Sequence, residues 1–142
     1  MHHAFMGGKQ IERLRIGNKG PVVVVEGIMD LLSIGLEDYG VATLGASYSV
    51  FLMAFLRRHF GEVLHLPDND RAGVVSADKL ESLCKSYDIK YRNINDDNWL
   101  YKGTKAGDPS DLSNYDLGLR KIDLIKKHLR SKCEKQNRKR KL

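Results

Sequence analysis

The residues with the most chemical content are three acids at the ends of apolar runs. Glu26-Gly27 directly follows Pro21-Val22-Val23-Val24-Val25, and Asp68-Asn69-Asp70 follows Glu62-Val63-Leu64-His65-Leu66 after the stop at Pro67. If both runs are strands of one parallel sheet, their carboxyl ends share an edge, and carboxylates far apart in sequence converge there. Clustered carboxylates repel one another, and a hard divalent cation held through oxygen removes that repulsion. Magnesium is the expected occupant, with manganese as its substitute. An isolated Asp-Asn-Asp reads instead as a polar turn whose acids cap a helix. Here Gly27 and Gly73 follow the two acidic sites, with Asp30 and Arg71 beside them. Small residues let backbone amides approach a ligand, so the combination favours a site.

The elements that must position these acids follow from hydrophobic periodicity. The Pro21–Val25 run is β-branched and apolar at every position, as a parallel strand covered on both faces requires. Residues 28–36 then recur at helical spacing, and 41–44 reads as a second strand. Ser47 or Ser49 caps the next helix, which runs over 49–59 with Leu52, Phe55, Leu56 and Phe60 as its inward stripe. Residues 62–66 form a third strand. Ala77, Leu80, Cys84 and Tyr87 line a third helix, and 89–94 alternate like a fourth, more exposed strand. Residues 95–109 read as loop, and Leu117, Ile122, Ile125 and Leu129 mark a last amphipathic helix. The alternation predicts an α/β fold with a central, mainly parallel sheet of about four strands and helices on both faces. Residues 1–20 form an N-terminal extension, read as a strand or hairpin arm around 11–16 or as the remnant of an upstream subdomain; 21–129 form the domain, and 130–142 a basic tail.

Composition sets outer bounds. A chain of 142 residues with 42% hydrophobic and 30% charged residues suits one core. No apolar run approaches the roughly 18 residues needed to cross a bilayer, so no membrane partner is expected, and residues 21–25 come too late and are too short for a secretory segment. A cytoplasmic, nucleoid-associated protein is expected. Cys84 and Cys133, the only cysteines, cannot supply a structural zinc site and read as reduced thiols; His2 and His3 fall in an unstructured start. The net charge of +6 favours a polyanionic partner. Much of it lies in the tail, which is equally well read as a solvated helix end.

No Gly-x-Gly-x-x-Gly follows the first strand and no Gly-x-x-x-x-Gly-Lys-Ser/Thr occurs, which argues against dinucleotide and P-loop sites. A phospho-aspartate enzyme of the haloacid dehalogenase type would carry Asp-x-Asp where this chain has Glu26. Taken together, Val22 to Asp30, Val41-Ala42-Thr43-Leu44-Gly45, Pro67-Asp68-Asn69-Asp70-Arg71-Ala72-Gly73 and Gly107-Asp108-Pro109-Ser110-Asp111-Leu112 resemble, in order and spacing, the TOPRIM domain of bacterial-type and phage-type DNA primases. Pro67 and Asn69 are more similar to primases of phages and mobile elements than to those of cells. Ser110 departs from the pattern, since primases often carry an acid there, and Asp111 is the neighbouring substitute.

The resemblance implies a Rossmann-like TOPRIM fold and magnesium-dependent nucleotidyl transfer in RNA primer synthesis. It implies Asp68 and Asp70 as metal ligands, Glu26 as a further ligand or as the general acid/base, and Asp30 and Asp108 as further acids of the site. It also implies single-stranded DNA template, ribonucleotides, and helicase or other replisome proteins as partners. Arg71, Lys102, Lys105, Arg57 and Arg58 are the candidate phosphate contacts, Arg71 the foremost. Complete primases also carry a zinc-binding template reader and a basic subdomain ahead of this segment, so the chain is expected to be a stand-alone TOPRIM protein, an excised domain, or a primase remnant needing further domains. Two other readings stay open. The same apparatus hydrolyses a phosphodiester when water replaces the hydroxyl, which gives a small TOPRIM nuclease acting on DNA or structured RNA. A non-catalytic accessory domain that only binds metal or nucleic acid is the third.

Overall fold

The computed structural model describes residues 5–44 and 48–141. Its elements are α1 (Gly8–Arg15), β1 (Pro21–Val25), α2 (Ile28–Leu32), β2 (Gly40–Ala42), α3 (Val50–His59), β3 (Glu62–His65), α4 (Arg71–Ser86), β4 (Lys90–Asn93) and α5 (Asp116–Lys141). Short 3-10 turns at Asp96–Asn98 and Pro109–Asn114 separate β4 from α5. The four strands are parallel in the order β2-β1-β3-β4. The predicted α/β sheet with helices on both faces is the observed fold.

Burial on both faces explains the unbroken valine run of β1. Val23 and Val25 face a core built with Leu31 of α2 and Ile122, Ile125 and Leu129 of α5. Val22 and Val24 face a second core with Leu52, Met53 and Leu56 of α3 and Leu80 and Cys84 of α4. Edge strand β4 is half covered and alternates accordingly. Ser49 caps α3, its hydroxyl accepting from the Leu52 amide at 3.1 Å, while Ser47 and the Gly45 of the sequence pattern lie outside the described residues, as do His2 and His3. Among the described residues no helix is long and apolar enough to cross a membrane.

Four expectations need correction. Residues 11–16 form no strand or hairpin arm. They lie in and just after α1, because Ile11 and Leu14 stand one helical turn apart and Leu14 packs on the α3/α4 core. Sheet pairing by the N-terminal segment occurs earlier, where Phe5 and Ala42 exchange two antiparallel backbone bonds of 3.0 Å. The helix expected over 28–36 ends at Leu32, since Gly35 adopts φ +68° and turns the chain toward β2. The loop over 95–109 carries part of the core: Leu100, Tyr101 and Ala106 are buried. Finally, α5 does not fade near Leu129 but continues to Lys141.

That extension is anchored. Asn18 donates through Nδ2 to the Cys133 carbonyl at 3.2 Å and to Asn137 Oδ1 at 2.7 Å, and its own Oδ1 accepts from the Gly20 amide at 3.0 Å. Cys133 is buried over Gly20, where a Cβ would stand 2.8 Å from its sulfur. Overpacking of this kind costs about 1–3 kcal/mol. Gly20→Ala should therefore destabilise the chain by about that much in urea unfolding. Combining it with Cys133→Ala should cost less than the sum of the two single changes, and strict additivity would show that helix and glycine are not in contact.

Candidate active site

Glu26 and Asp68 are brought together by strand pairing. The register of β1 on β3 sets Val24 beside His65, and the Leu66 amide continues the ladder by donating to the Val24 carbonyl at 3.1 Å, so the two chains leave the sheet at the same level. On the other side, the Thr43 and Leu44 amides donate to the Val25 and Glu26 carbonyls at 2.9 and 2.6 Å. These bonds hold the Glu26 backbone while its side chain stays exposed.

The turn carrying Asp68 is held from the 95–109 segment. The Tyr101 hydroxyl donates to the Pro67 carbonyl at 2.6 Å, the Asn69 amide to the Gly107 carbonyl at 2.9 Å, and Asn69 Nδ2 to the Ala106 carbonyl at 2.9 Å. Burial and then the charges of Asp68 and Asp30 push the Tyr101 phenol upward, so it remains a neutral donor. Gly73 is needed because a Cβ there would collide with the Asp68 carbonyl oxygen. The glycine therefore allows backbone to meet backbone, rather than backbone to meet a ligand as the sequence suggested.

Asp30 and Asp108 complete the acidic cluster through Ser110. Asp30 is buried; Oδ1 accepts from the Ser110 amide at 3.2 Å, and Oδ2 from the Gly27 amide at 3.2 Å. Asp108 Oδ1 accepts from the Ser110 hydroxyl at 2.7 Å and from the Asp111 amide at 2.9 Å. Ser110 thus donates to two of the acids where another acid would add repulsion. Asp111 does not replace that acid, because its Oδ2 turns back to accept from the Gly107 amide at 3.1 Å. Burial raises the Asp30 carboxyl above its usual range; the Ser110 and Gly27 amides oppose the rise, and the charges of Asp108 and Glu26 add to it.

Asp68 bears most of the electrostatic cost. Burial, then the charges of Asp30 and Glu26, a side-chain hydrogen bond with Glu26 and more weakly the charge of Asp108, push its carboxyl up to about 7. Its Oδ1 is buried and has no hydrogen-bond partner. Asp70 differs: it is exposed and caps α4, Oδ1 accepting from the Gly73 amide at 2.7 Å, as a helix-capping acid does.

The donor chemistry fits a hard divalent cation, since the acids of the cluster offer carboxylate oxygen and one buried oxygen is unsatisfied. The expected five-carboxylate ligand set is not assembled, however. Among the described residues no three Asp, Glu, His or Cys side chains are disposed to enclose one ion. Both oxygens of Asp30 accept hydrogen bonds, as does one each of Asp70 and Asp108, and magnesium is commonly held by one or two carboxylates together with water and substrate phosphates.

Beside the acids lies a cavity of about 290 Å³ lined by Glu26, Asp68, Tyr48, His65, Ser76 and Lys79, among others. Tyr48 and Ser76 share a hydrogen bond of 2.6 Å. The Tyr91 hydroxyl donates to the Ala77 carbonyl at 3.3 Å, so it accepts from His65 Nδ1 at 2.9 Å, which leaves His65 Nε2 as an acceptor. Burial lowers the His65 pKa to about 4, which keeps the ring neutral. Tyr48, His65, Lys79 and Tyr101 carry no signal of a site in the sequence, and His65 reads there only as one residue of a strand. Arg71 begins α4, and Lys102 and Lys105 lie exposed on the segment that holds the Asp68 turn. Arg57 is elsewhere. It lines a cleft with Lys19, Gly61 and Lys90, at the amino ends of the strands, because it sits at the C-terminus of a helix running antiparallel to them; Arg58 sits beside it on the same turn.

These shifts predict a pH dependence. A carboxyl that titrates near 7 when folded, against an ordinary 3.8, keeps a proton in the folded chain that the unfolded chain has lost. Its contribution therefore falls as pH rises between about 4 and 7. The lowered pKa of His65 slopes the opposite way, so the difference between variants isolates Asp68. Without metal, the melting temperature of Asp68→Asn minus that of the wild type should grow from pH 5 to pH 8. A difference that stays constant would remove Asp68 from the charge cluster.

Comparison with known proteins places the fold. The Toprim-like family matches residues 23–105, more than half of the chain. No curated protein sequence matches significantly. Among solved structures, the chain is similar to a DnaG primase catalytic domain bound to single-stranded DNA, at 24% identity and a TM-score of 0.56 over 76% of this chain and 34% of that one. It is also similar to the E. coli primase catalytic core, at 21% identity and a TM-score of 0.53 over 80% of this chain and 37% of that one. The chain spans about a third of the length of these primase structures, and the likeness is one of fold. The strand-end acids, the parallel sheet and the family match lead to one conclusion: this chain belongs to the Toprim-like family.

Proposed function

We propose that the chain is the catalytic half-site of a primase-type enzyme, acting in magnesium-dependent nucleotidyl transfer from ribonucleotides onto a primer strand along a single-stranded DNA template. The observation that carries this reading is the buried, unpartnered Oδ1 of Asp68 among the charges of Asp30, Glu26 and Asp108. Like charge gathered at that density, around an oxygen with nothing to accept from, suits a divalent cation bound together with substrate phosphates. One primase of like fold is described as bound to single-stranded DNA, which supports the choice of template.

Asp68, joined by the free oxygen of Asp70, would hold the ion, with Asp30 and Asp108 strengthening the negative field behind it. Such an ion, when bound, neutralises charge developing on phosphate oxygens and acidifies the attacking hydroxyl. Glu26 is exposed at the cavity mouth and takes the proton from the primer 3′ hydroxyl as that oxygen bonds to the α-phosphate and pyrophosphate leaves. The neutral His65 and the Tyr48–Ser76 pair line the cavity as hydrogen-bonding partners for nucleotide, and Lys79 brings a cation to its rim. Arg71, Lys102 and Lys105 are the phosphate contacts on this side. Template grip and helicase coupling would come from further domains or partners, as the short span against the primase structures suggests.

Incubation with single-stranded template, labelled ribonucleotides and magnesium or manganese tests the reading. Template-dependent ribonucleotide incorporation is expected; metal-dependent cleavage of labelled DNA or RNA without incorporation would replace it with a nuclease. Magnesium at pH 8 should raise the melting temperature of the wild type and not that of Asp68→Asn. Glu26→Gln should keep the fold and most of the metal-dependent shift but lose about 10²–10⁴-fold in turnover. Normal turnover per folded molecule would remove Glu26 from proton transfer.

A further inference from the structure

The sheet face covered by α5 changes character at its edge. The register of β4 on β3 sets Arg92 beside Leu64 and Lys90 beside Glu62. Leu64 lies in the core beneath α5, while Arg92 and Lys90 are exposed. The helix therefore covers β3 but not β4, and a groove remains between them. Its upper part encloses about 420 Å³ and is lined by Leu64, Ile125, Arg92, His128 and Trp99, with Asp96 as its one acid. Its lower part is a cleft of about 230 Å³, where Lys19 and Lys90 meet Lys132, Lys135 and Lys139 with Glu62 as the single acid.

The α5 side of this seam is a helical stripe. Ile125, His128, Lys132, Lys135 and Lys139 recur at steps of three and four, the spacing a helix uses for its inward face, and the stripe turns from apolar to basic as it leaves the core. The only ion pair within 4 Å among the described residues is Arg15 with Glu12, so none of these lysines is in contact with a protein carboxylate. A solvated helix face ordinarily intersperses both signs. Here like charges line both walls of one cleft, which is the electrostatic form of a polyanion site. Trp99, at the apolar end, is 39% exposed, with the Lys121 ammonium 5.6 Å from its ring centroid.

We propose that the β4–α5 seam binds single-stranded nucleic acid, with Trp99 stacking on a base and Lys90, Arg92, Lys132 and Lys135 contacting successive phosphates. A basic track with an aromatic platform is how single strands are held without sequence preference, and unstacked bases offer a face that a duplex does not. The site stands apart from the carboxylates and needs no metal. It rests on the nucleic-acid reading of the chain for its ligand, not on any catalytic step.

Trp99 is the only tryptophan, so its fluorescence reports directly on the seam. The test titrates the full chain, in chelator, with fluorescein-labelled oligo(dT), following oligonucleotide anisotropy for affinity and tryptophan emission for stacking. Binding that quenches Trp99 and weakens steeply with salt is expected. Lys132→Glu with Lys135→Glu, and separately Trp99→Leu, should each weaken binding about tenfold or more at unchanged melting temperature. If both seam variants bind oligo(dT) with wild-type affinity, the strand lies elsewhere; the seam assignment is then wrong and the proposed activity stands. Displacement by polyglutamate as efficient as by unlabelled oligo(dT), without quenching, would make the seam an acidic-protein surface and overturn the proposal. Absence of any binding at low salt would overturn it as well, whereas template-dependent incorporation is read in its own assay.

Discussion

The parallel pairing of β1 with β3 is the constraint on which the rest of the molecule depends. Burying both faces of the sheet demands two helical layers, and those layers force the strands to run in the same direction through crossover helices. With Val24 beside His65, Glu26 and Asp68 leave the sheet at one level, and no side-chain contact is needed to bring them together. The cost of that meeting falls on Asp68, whose carboxyl is pushed up to about 7. A hydrogen bond with the Glu26 side chain favours the protonated form of Asp68, and the other surrounding hydrogen bonds do not reach its carboxyl. They fix the backbone that carries it: Tyr101 at Pro67, Asn69 at Ala106 and Gly107, and Ser110 between Asp30 and Asp108.

What was legible in the sequence follows the same logic. Strand runs bounded by Gly, Pro and acids identify the sheet, because a buried parallel strand leaves little freedom of composition, and acids at strand ends identify the edge they share. The roles within the cluster were not legible. Asp68 and Asp70 look alike in sequence, yet one has an unsatisfied buried oxygen and the other caps α4. Ser110 reads as the loss of an acid, although its two donations hold Asp30 and Asp108 in place. His65 and Tyr101 gain their positions through tertiary packing alone.

The termini are ambiguous in sequence for a related reason. A short apolar pair such as Ile11 and Leu14 fits a strand or a helix equally well until the surface that receives it is known. The C-terminal residues look like a solvated tail because their stripe is mostly lysine. What docks them is a small set of contacts, Asn18 to Cys133 and Asn137, with Gly20 under the thiol, and composition carries no trace of these.

The resulting distribution of charge is polar along the strands. The buried acids gather at the carboxyl edge, whereas Arg57, Lys19, Lys90 and the lysine stripe of α5 outnumber Glu62, Glu81 and Asp88 at the amino edge and along the β4 seam. A nucleic acid approaching the bare chain meets attraction on one side and repulsion on the other. Counterion release favours the basic side whether or not a divalent ion is present. The acidic edge opposes phosphate until its charge is neutralised, which makes engagement there conditional on the cation while holding the strand is not. On the proposed reading the two sites would divide the work by sign: the amino edge and seam would keep a strand nearby, and the carboxyl edge, despite Arg71, Lys102 and Lys105, would admit a phosphate most readily together with the ion that acts on it.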